Sequence, residues 1–222
     1  MRYYIIIIGL LLCSLQAFPQ DRFGVAVHCD GQAGFASRAN CGFSFGVSGL
    51  GVLHANIVDI SIGVGYSYKT CSHEESRITY MGNIQEERFK IIHQMHYLNI
   101  PFILDIQCWR QEKWRLILHN KLEYSRLCGY SAFAQENWHP ITIDKWDDIP
   151  REARNGLSYQ LGLTLSYAVT EHCILNTTPF FGVKAIRNEY LPTPTHFPSA
   201  QHGYLPDHLF HSGITIGFEY RF

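Results

Sequence analysis

The sequence predicts an all-β protein: an eight-stranded antiparallel up-and-down transmembrane β-barrel with short periplasmic turns and long extracellular loops. Three observations predict it. Apolar and polar residues alternate with period two in segments spread along the chain. The connections between those segments alternate between short and long, as they do in outer-membrane barrels. The apolar faces carry tyrosine or tryptophan near their ends, while the opposite faces mix glycines with charges.

The chain opens on MRYYIIIIGLLLCSLQAFPQ, with one early basic residue, Arg2, and an apolar run over 3–12. Residues 1–20 read as a secretory signal peptide, cut after Ala17 or a few residues later, near Gln20. That leaves 21–222 as one outer-membrane barrel domain. The apolar run is too short to cross a bilayer as a helix. Leu12 stands where a lipoprotein signal carries a small residue, which argues against Cys13 as a lipid anchor.

The first two strands, FGVAVHC and CGFSFGVS, are the less regular ones. The third, IVDISIGVGYSYK, sets Val58, Ile60, Ile62, Val64, Tyr66 and Tyr68 against Asp59, Ser61, Gly63, Gly65, Ser67 and Lys69. The fourth, YLNIPFILDIQ, sets Leu98, Ile100, Phe102, Leu104 and Ile106 against Asn99, Pro101, Ile103, Asp105 and Gln107. The fifth, WRLILHNKLEYS, repeats the pattern with Asn120 as one polar residue on its apolar face. The sixth, LSYQLGLTLSYAV, alternates without a break. In the seventh, ILNTTPFFGVKAI, Pro179 suggests a bulge. The eighth, GITIGFEYRF, sets Ile214, Ile216, Phe218, Tyr220 and Phe222 against Thr215, Gly217, Glu219 and Arg221. Links near 53–56, 110–113 and 170–172 are short; those over 70–94, 129–155 and 187–211 are long, and the one at 34–40 is short for its class.

The polar faces decide which side points inward. They carry Asp59, Asp105, Glu123 and Glu219 together with Arg115, Lys121, Lys184 and Arg221, charges that balance inside a narrow barrel. The apolar faces carry Tyr66, Tyr68, Trp114, Tyr124, Tyr159, Tyr167 and Tyr220, the makings of two interfacial girdles. Eight strands enclose an interior that side chains just fill, which argues against an open pore. The mean hydropathy of −0.07 is too polar for a helical membrane protein, yet it suits a barrel. A net charge of −1 gives no reason to expect a nucleic-acid partner.

With the signal removed, Cys29, Cys41, Cys71, Cys108, Cys128 and Cys173 remain. An even count in an exported chain permits disulfides. We expect some of these to pair, in a connectivity left open, and others to fill apolar strand positions. No CxxC pair is present to suggest a zinc or redox motif.

The stretch YLNIPFIL resembles the Tyr-Leu-x-Ile-Pro strand of a small outer-membrane β-barrel family common in Bacteroidota, which includes PorT-like proteins. ISIGVGYSYK is similar to that family's third strand, and GITIGFEYRF to its last. The resemblance covers most of the mature chain; the six cysteines and the His-rich loops depart from it. It implies insertion by the barrel-assembly machinery through an aromatic signal, here Phe218, Tyr220 and Phe222. It implies no single activity, although some PorT-like members assist protein secretion.

Candidate chemistry is sparse. His73, His93, His139, His196, His202 and His208 fall in the long connections, with His96 and His211 at their edges. Of these His196, His202, His208 and His211 are the weak candidates for a metal site, since their spacing matches no fixed ligand motif. Ser72, His73 and Glu74 are sequence neighbours, which is not how a catalytic triad is built. His119, Lys121 and Glu123 read as a structural network. Trp138, Trp146, Tyr190 and Phe197 beside prolines suit either loop packing or a surface for an extracellular protein or glycan. The expectation is a monomeric, non-enzymatic barrel without cofactor, in contact with outer-membrane lipid. A lipid- or lipopolysaccharide-modifying enzyme and a soluble lipocalin-like barrel are the alternatives.

Overall fold

A computed structural model describes residues 23–35, 40–81, 83–136, 139–144, 154–186 and 210–222. These form nine strands: β1 (Phe23–Phe35), β2 (Asn40–Ala55), β3 (Val58–Met81), β4 (Asn83–Gln111), β5 (Trp114–Glu136), β6 (His139–Asp144), β7 (Asn155–Ala168), β8 (Cys173–Ile186) and β9 (Phe210–Arg221). Every barrel strand is antiparallel to both neighbours. The order runs β4-β3-β2-β1-β9-β8-β7-β5, and a further β4–β5 pairing closes the ring at eight strands. The expected eight-stranded barrel is therefore present. The ninth strand, β6, pairs with β5 beyond the ring, and with no other strand among the described residues.

Closure removes every edge from the body of the sheet, as a strand without water around it requires. Burial then follows the sequence alternation. Along β7 each inward residue from Gly156 to Ser166 is buried, while Tyr159, Leu161, Leu163 and Leu165 are exposed. Every barrel strand turns large apolar side chains outward; Val64 is 71% exposed. On a molecule surrounded by water such a surface would be an aggregation site.

Two expectations about length fail, for physical reasons. Residues 70–94 are a strand pair rather than a loop: β3 and β4 stay in register until Met81 faces Asn83. The large apolar residues there, Ile78, Tyr80, Met81, Ile84, Phe89, Ile91 and Ile92, fall at both odd and even positions among charges, so no hydropathic alternation marks it. Similarly β5 runs on to Glu136 and pairs with β6. At the other rim β2 continues past Ser48 to Ala55, where the pattern inverts: Gly49 and Gly51 point out while Leu50 and Val52 are buried inside. Leu50 lies over Gly63, where an added Cβ would meet Gly49 O at 1.9 Å.

Pro179 does not mark a bulge. It sits in constant register opposite Ile214 of β9, and the β7–β8 ladder skips Leu163 and Thr164 before resuming unshifted. The lost donor is local, and the Thr164 and Thr178 hydroxyls bond across the gap at 2.7 Å. The bulge between β7 and β8 lies instead at Leu157/Ser158.

The expected cysteine pairing is not found at four of the six positions: Cys29, Cys108, Cys128 and Cys173 form no disulfide among the described residues. Register explains why Cys108 and Cys128 stay apart: each is the extra residue of a β4–β5 bulge, at opposite rims of the barrel. Their thiols donate to the Ile106 and His96 carbonyls. Cys29 points outward between Val47 and Ile216.

Two-residue turns link β2 to β3 and β4 to β5. Each puts its first central residue at positive φ, Asn56 at 56° and Glu112 at 46°. Asparagine tolerates that conformation, and glutamate does not. Glu112→Gly should therefore stabilise the barrel by about 1 kcal/mol in urea-gradient refolding, whereas Asn56→Gly should change little. An unchanged midpoint for Glu112→Gly would show that the strain is relieved elsewhere.

Candidate functional site

The lumen is where the chain concentrates its chemistry. Inward residues of successive strands meet there, so groups far apart in sequence become neighbours. Near the short-turn rim His54 Nδ1 contacts Asp59 Oδ1 at 2.8 Å, and Arg221 Nε donates to Glu219 Oε1 at 2.6 Å. His54 Nε2 faces Glu219 Oε1 at 3.3 Å, a charge contact outside good hydrogen-bond geometry. Arg221 Nη2 reaches Asp59 Oδ2 at 3.8 Å, and Arg115 is buried nearby on β5. An apolar layer of Ala26, Leu50, Val52 and Ile103 also faces the lumen, with Ile103 only 1% exposed.

Deeper in, Lys121 Nζ lies between two carboxylates, 2.8 Å from Glu123 Oε2 and 3.2 Å from Asp30 Oδ2. Thr215 Oγ1 donates to the other Asp30 oxygen. His119, almost fully buried, contacts Asp105 Oδ1 through Nδ1 at 2.7 Å. In a low-dielectric interior such charges persist only when paired, and these are.

Toward the long-hairpin rim a small polar chamber follows. Each of the eight barrel strands contributes at least one residue: Gln32, Ser44, Ser67, Asn99, Glu123, Gln160, Lys184 and His211. It encloses about 40 Å³. That is room for water and far below the several hundred Å³ of a ligand pocket. The Asn99 and Gln160 carbonyl oxygens have no protein donor, and the chamber sets them where water can donate.

The structure thus places seven of the eight expected charges in or beside three clusters, and Lys184 in the chamber wall. Sequence reasoning misses Asp30 and His54, which complete the network, because they lie in the two irregular strands. Among the metal candidates, His211 is a buried lumen residue beside Phe180; His196, His202 and His208 lie outside the described residues, as do the signal segment, Trp138, Trp146, Tyr190 and Phe197. No group of three metal-ligating side chains occurs among the described residues. Ser72, His73 and Glu74 lie consecutively on β3.

The exterior completes the picture. On β5 the outward aromatics Trp114 and Tyr124 are ten residues apart, about 33 Å along a strand. A tilt near 40° reduces that to about 25 Å, the height of a lipid-facing apolar band. Trp114 packs against Tyr167 at 4.7 Å at the lower rim, and Phe181 stacks on Phe210 at 5.7 Å at the upper. Asn120, the one polar outward residue in the lipid-depth part of β5, donates to Leu104 O and accepts from the Tyr159 hydroxyl. A closed barrel with an apolar girdled exterior and a filled, charge-paired interior defines the class: an outer-membrane-type β-barrel.

No family model matches the chain, and no curated protein matches it. Among solved structures it is similar to Neisserial surface protein A, at 11% identity and a TM-score of 0.45, over 90% of this chain and 97% of that one. It is also similar to a major outer membrane protein from Thermus thermophilus, at 10% identity and 0.45, over 89% and 99%. A third is the N-terminal β-barrel domain of Pseudomonas aeruginosa OprF, at 9% and 0.37, over 89% and 97%.

Proposed function

We propose that the chain is a monomeric, non-enzymatic outer-membrane barrel whose extracellular hairpins bind a protein or glycan. The observation that carries this reading is the division of labour between the two ends of the molecule. The membrane-depth half is closed and filled, with its charges committed to one another. The other end extends four strands, β3 to β6, well past the ring, and among the described residues β6 has a neighbour on one side only. A rigid base carrying a raised sheet suits display and binding, not conduction.

Several features support the finer points. His54 and His119 each contact a carboxylate inside the lumen, which favours a structural over a catalytic role for those residues. Leu98, Ile100 and Phe102 point to lipid while Asn99 and Pro101 are buried, the pattern expected if YLNIPFIL marks kinship with PorT-like barrels. On that kinship a contribution to secretion is part of the proposal. Membrane fractionation with protease shaving tests the reading: cleavage of intact cells should fall in the β3–β6 hairpins and spare the barrel. Recovery in the soluble periplasmic fraction would sink it.

Assembly gives a second expected outcome. Phe218, Tyr220 and Phe222 face outward at the end of the chain, and the Tyr220 and Phe222 rings pack edge to face at 5.4 Å. If the assembly machinery reads these rings, Phe222→Ala should lower the heat-modifiable barrel recovered from cells several-fold. Refolding of the same variant into detergent should be unchanged, because Phe222 is 58% exposed. Equal loss in both settings would make the residue a packing group rather than a signal.

A further inference from the structure

We infer that the outer surface of β3, β4 and β5, just above the apolar band, is a binding site for the phosphate group of an outer-leaflet glycolipid of the lipid A class. Arg126 points outward from β5, two residues beyond the girdle tyrosine Tyr124. It is therefore roughly 5 Å nearer the aqueous side than the hydrocarbon edge, at headgroup depth. Arg126 is exposed and forms no ion pair or hydrogen bond among the described residues. Its neighbours Leu98 and Tyr124 are apolar surface, and Asn155, which accepts from the Tyr124 hydroxyl, faces it from β7.

Beside it the chain builds a second donor. His96, one diagonal step from Arg126 across the β4–β5 ladder, is held between Tyr66 and Tyr68. Its Nδ1 is hydrogen-bonded to the Tyr66 hydroxyl. If Tyr66 donates, His96 Nε2 carries a hydrogen; if His96 donates, the Tyr66 hydroxyl hydrogen is left over. Either way the pair retains one donor. The position is made by the local backbone: Cys128 is the bulged residue, and a Cβ at Gly129 would lie 3.2 Å from His96 Cδ2. A guanidinium with five donors beside a further donor suits a phosphate, and the apolar strip below suits the acyl chains attached to it. At this depth basic side chains are favoured where the lipid is anionic.

This inference rests on the membrane reading, and the experiment separates the two. The intact chain is refolded in detergent, and heat-modifiable migration on gels reports the barrel. Native mass spectrometry then follows retention of bisphosphorylated lipid A and of the same lipid with its phosphates removed. The wild-type barrel should retain the phosphorylated form preferentially. Arg126→Gln should weaken that retention by about tenfold, Arg126→Lys by less, and Arg110→Gln at the opposite rim not at all. Excess inorganic phosphate should fail to displace the lipid. Equal retention of the two lipids, or equal retention by wild type and Arg126→Gln, overturns the site while leaving the barrel in place; displacement by phosphate alone overturns the lipid assignment. Should Arg126→Gln fail to fold, His96→Ala is read in its place against the same threshold. No heat-modifiable species from any variant, wild type included, would be a failure of the membrane reading instead.

Discussion

Lys121→Met is expected to destabilise the barrel by about 3 kcal/mol or more, measured as the urea dependence of the folded fraction in detergent. The side chain is 5% exposed and lies within 3.2 Å of two carboxylates from different strands, Asp30 on β1 and Glu123 on β5. Removing the ammonium leaves two buried acids facing one another without a counter-charge. Breaking one side of a buried ion pair typically costs about 3–5 kcal/mol, most of it the unpaired charge left behind. The decisive companion is the triple variant Asp30→Asn, Lys121→Met, Glu123→Gln. If the loss comes from uncompensated charge, the triple variant recovers most of it, because a neutral lumen has no buried charge to strand. If both variants are equally unstable, the loss is one of packing. A change under about 1 kcal/mol for Lys121→Met would mean that water in the adjoining chamber screens the acids.

How much of this is legible in the sequence differs by strand, for reasons that can be named. Strands β7 and β9 alternate without interruption and are legible nearly whole. The inward charges of β3, β5 and β9 are legible too, because a charge on the opposite face from Ile, Leu and Tyr has only one place to go. Asp30, the key partner of Lys121, is not. It lies in β1 among small residues, where Gly31 and Ala33 give no hydropathic contrast. His54 is hidden by the inverted pattern of Gly49 to Val52. The cysteines mislead because their parity says nothing of facing or of bulges, which depend on register between strands. Register is a long-range property: Thr215 meets Asp30 across most of the chain's length. No local window contains it. The hairpin extension of β3 and β4 is lost for another reason, since its apolar residues are scattered over both alternation positions and its pairing continues the backbone ladder of the barrel.

Leu163→Arg provides the sharpest division between a membrane barrel and a water-soluble one. Leu163 points outward from β7 midway between Tyr159 and Tyr167, and is 52% exposed. In a soluble barrel an outward leucine replaced by arginine is close to neutral and raises solubility. In a bilayer the same position is the midplane, where arginine on the lipid face costs about 2–4 kcal/mol. The expected result is therefore a stability loss of that size for the chain refolded into vesicles. Ser166→Arg, on the inward face of the same strand, is the control for crowding: its site is 2% exposed, so it should fail in vesicles and detergent alike. Leu163→Arg should fail chiefly in vesicles, because detergent deforms around a charge more readily than a bilayer does. The depth dependence adds a check that packing cannot imitate. Moving the arginine outward along the strand, to Leu161 and then Tyr159, should reduce the cost stepwise toward the interface. A flat profile would deny that lipid covers this face, and the exposed apolar belt would then need another partner.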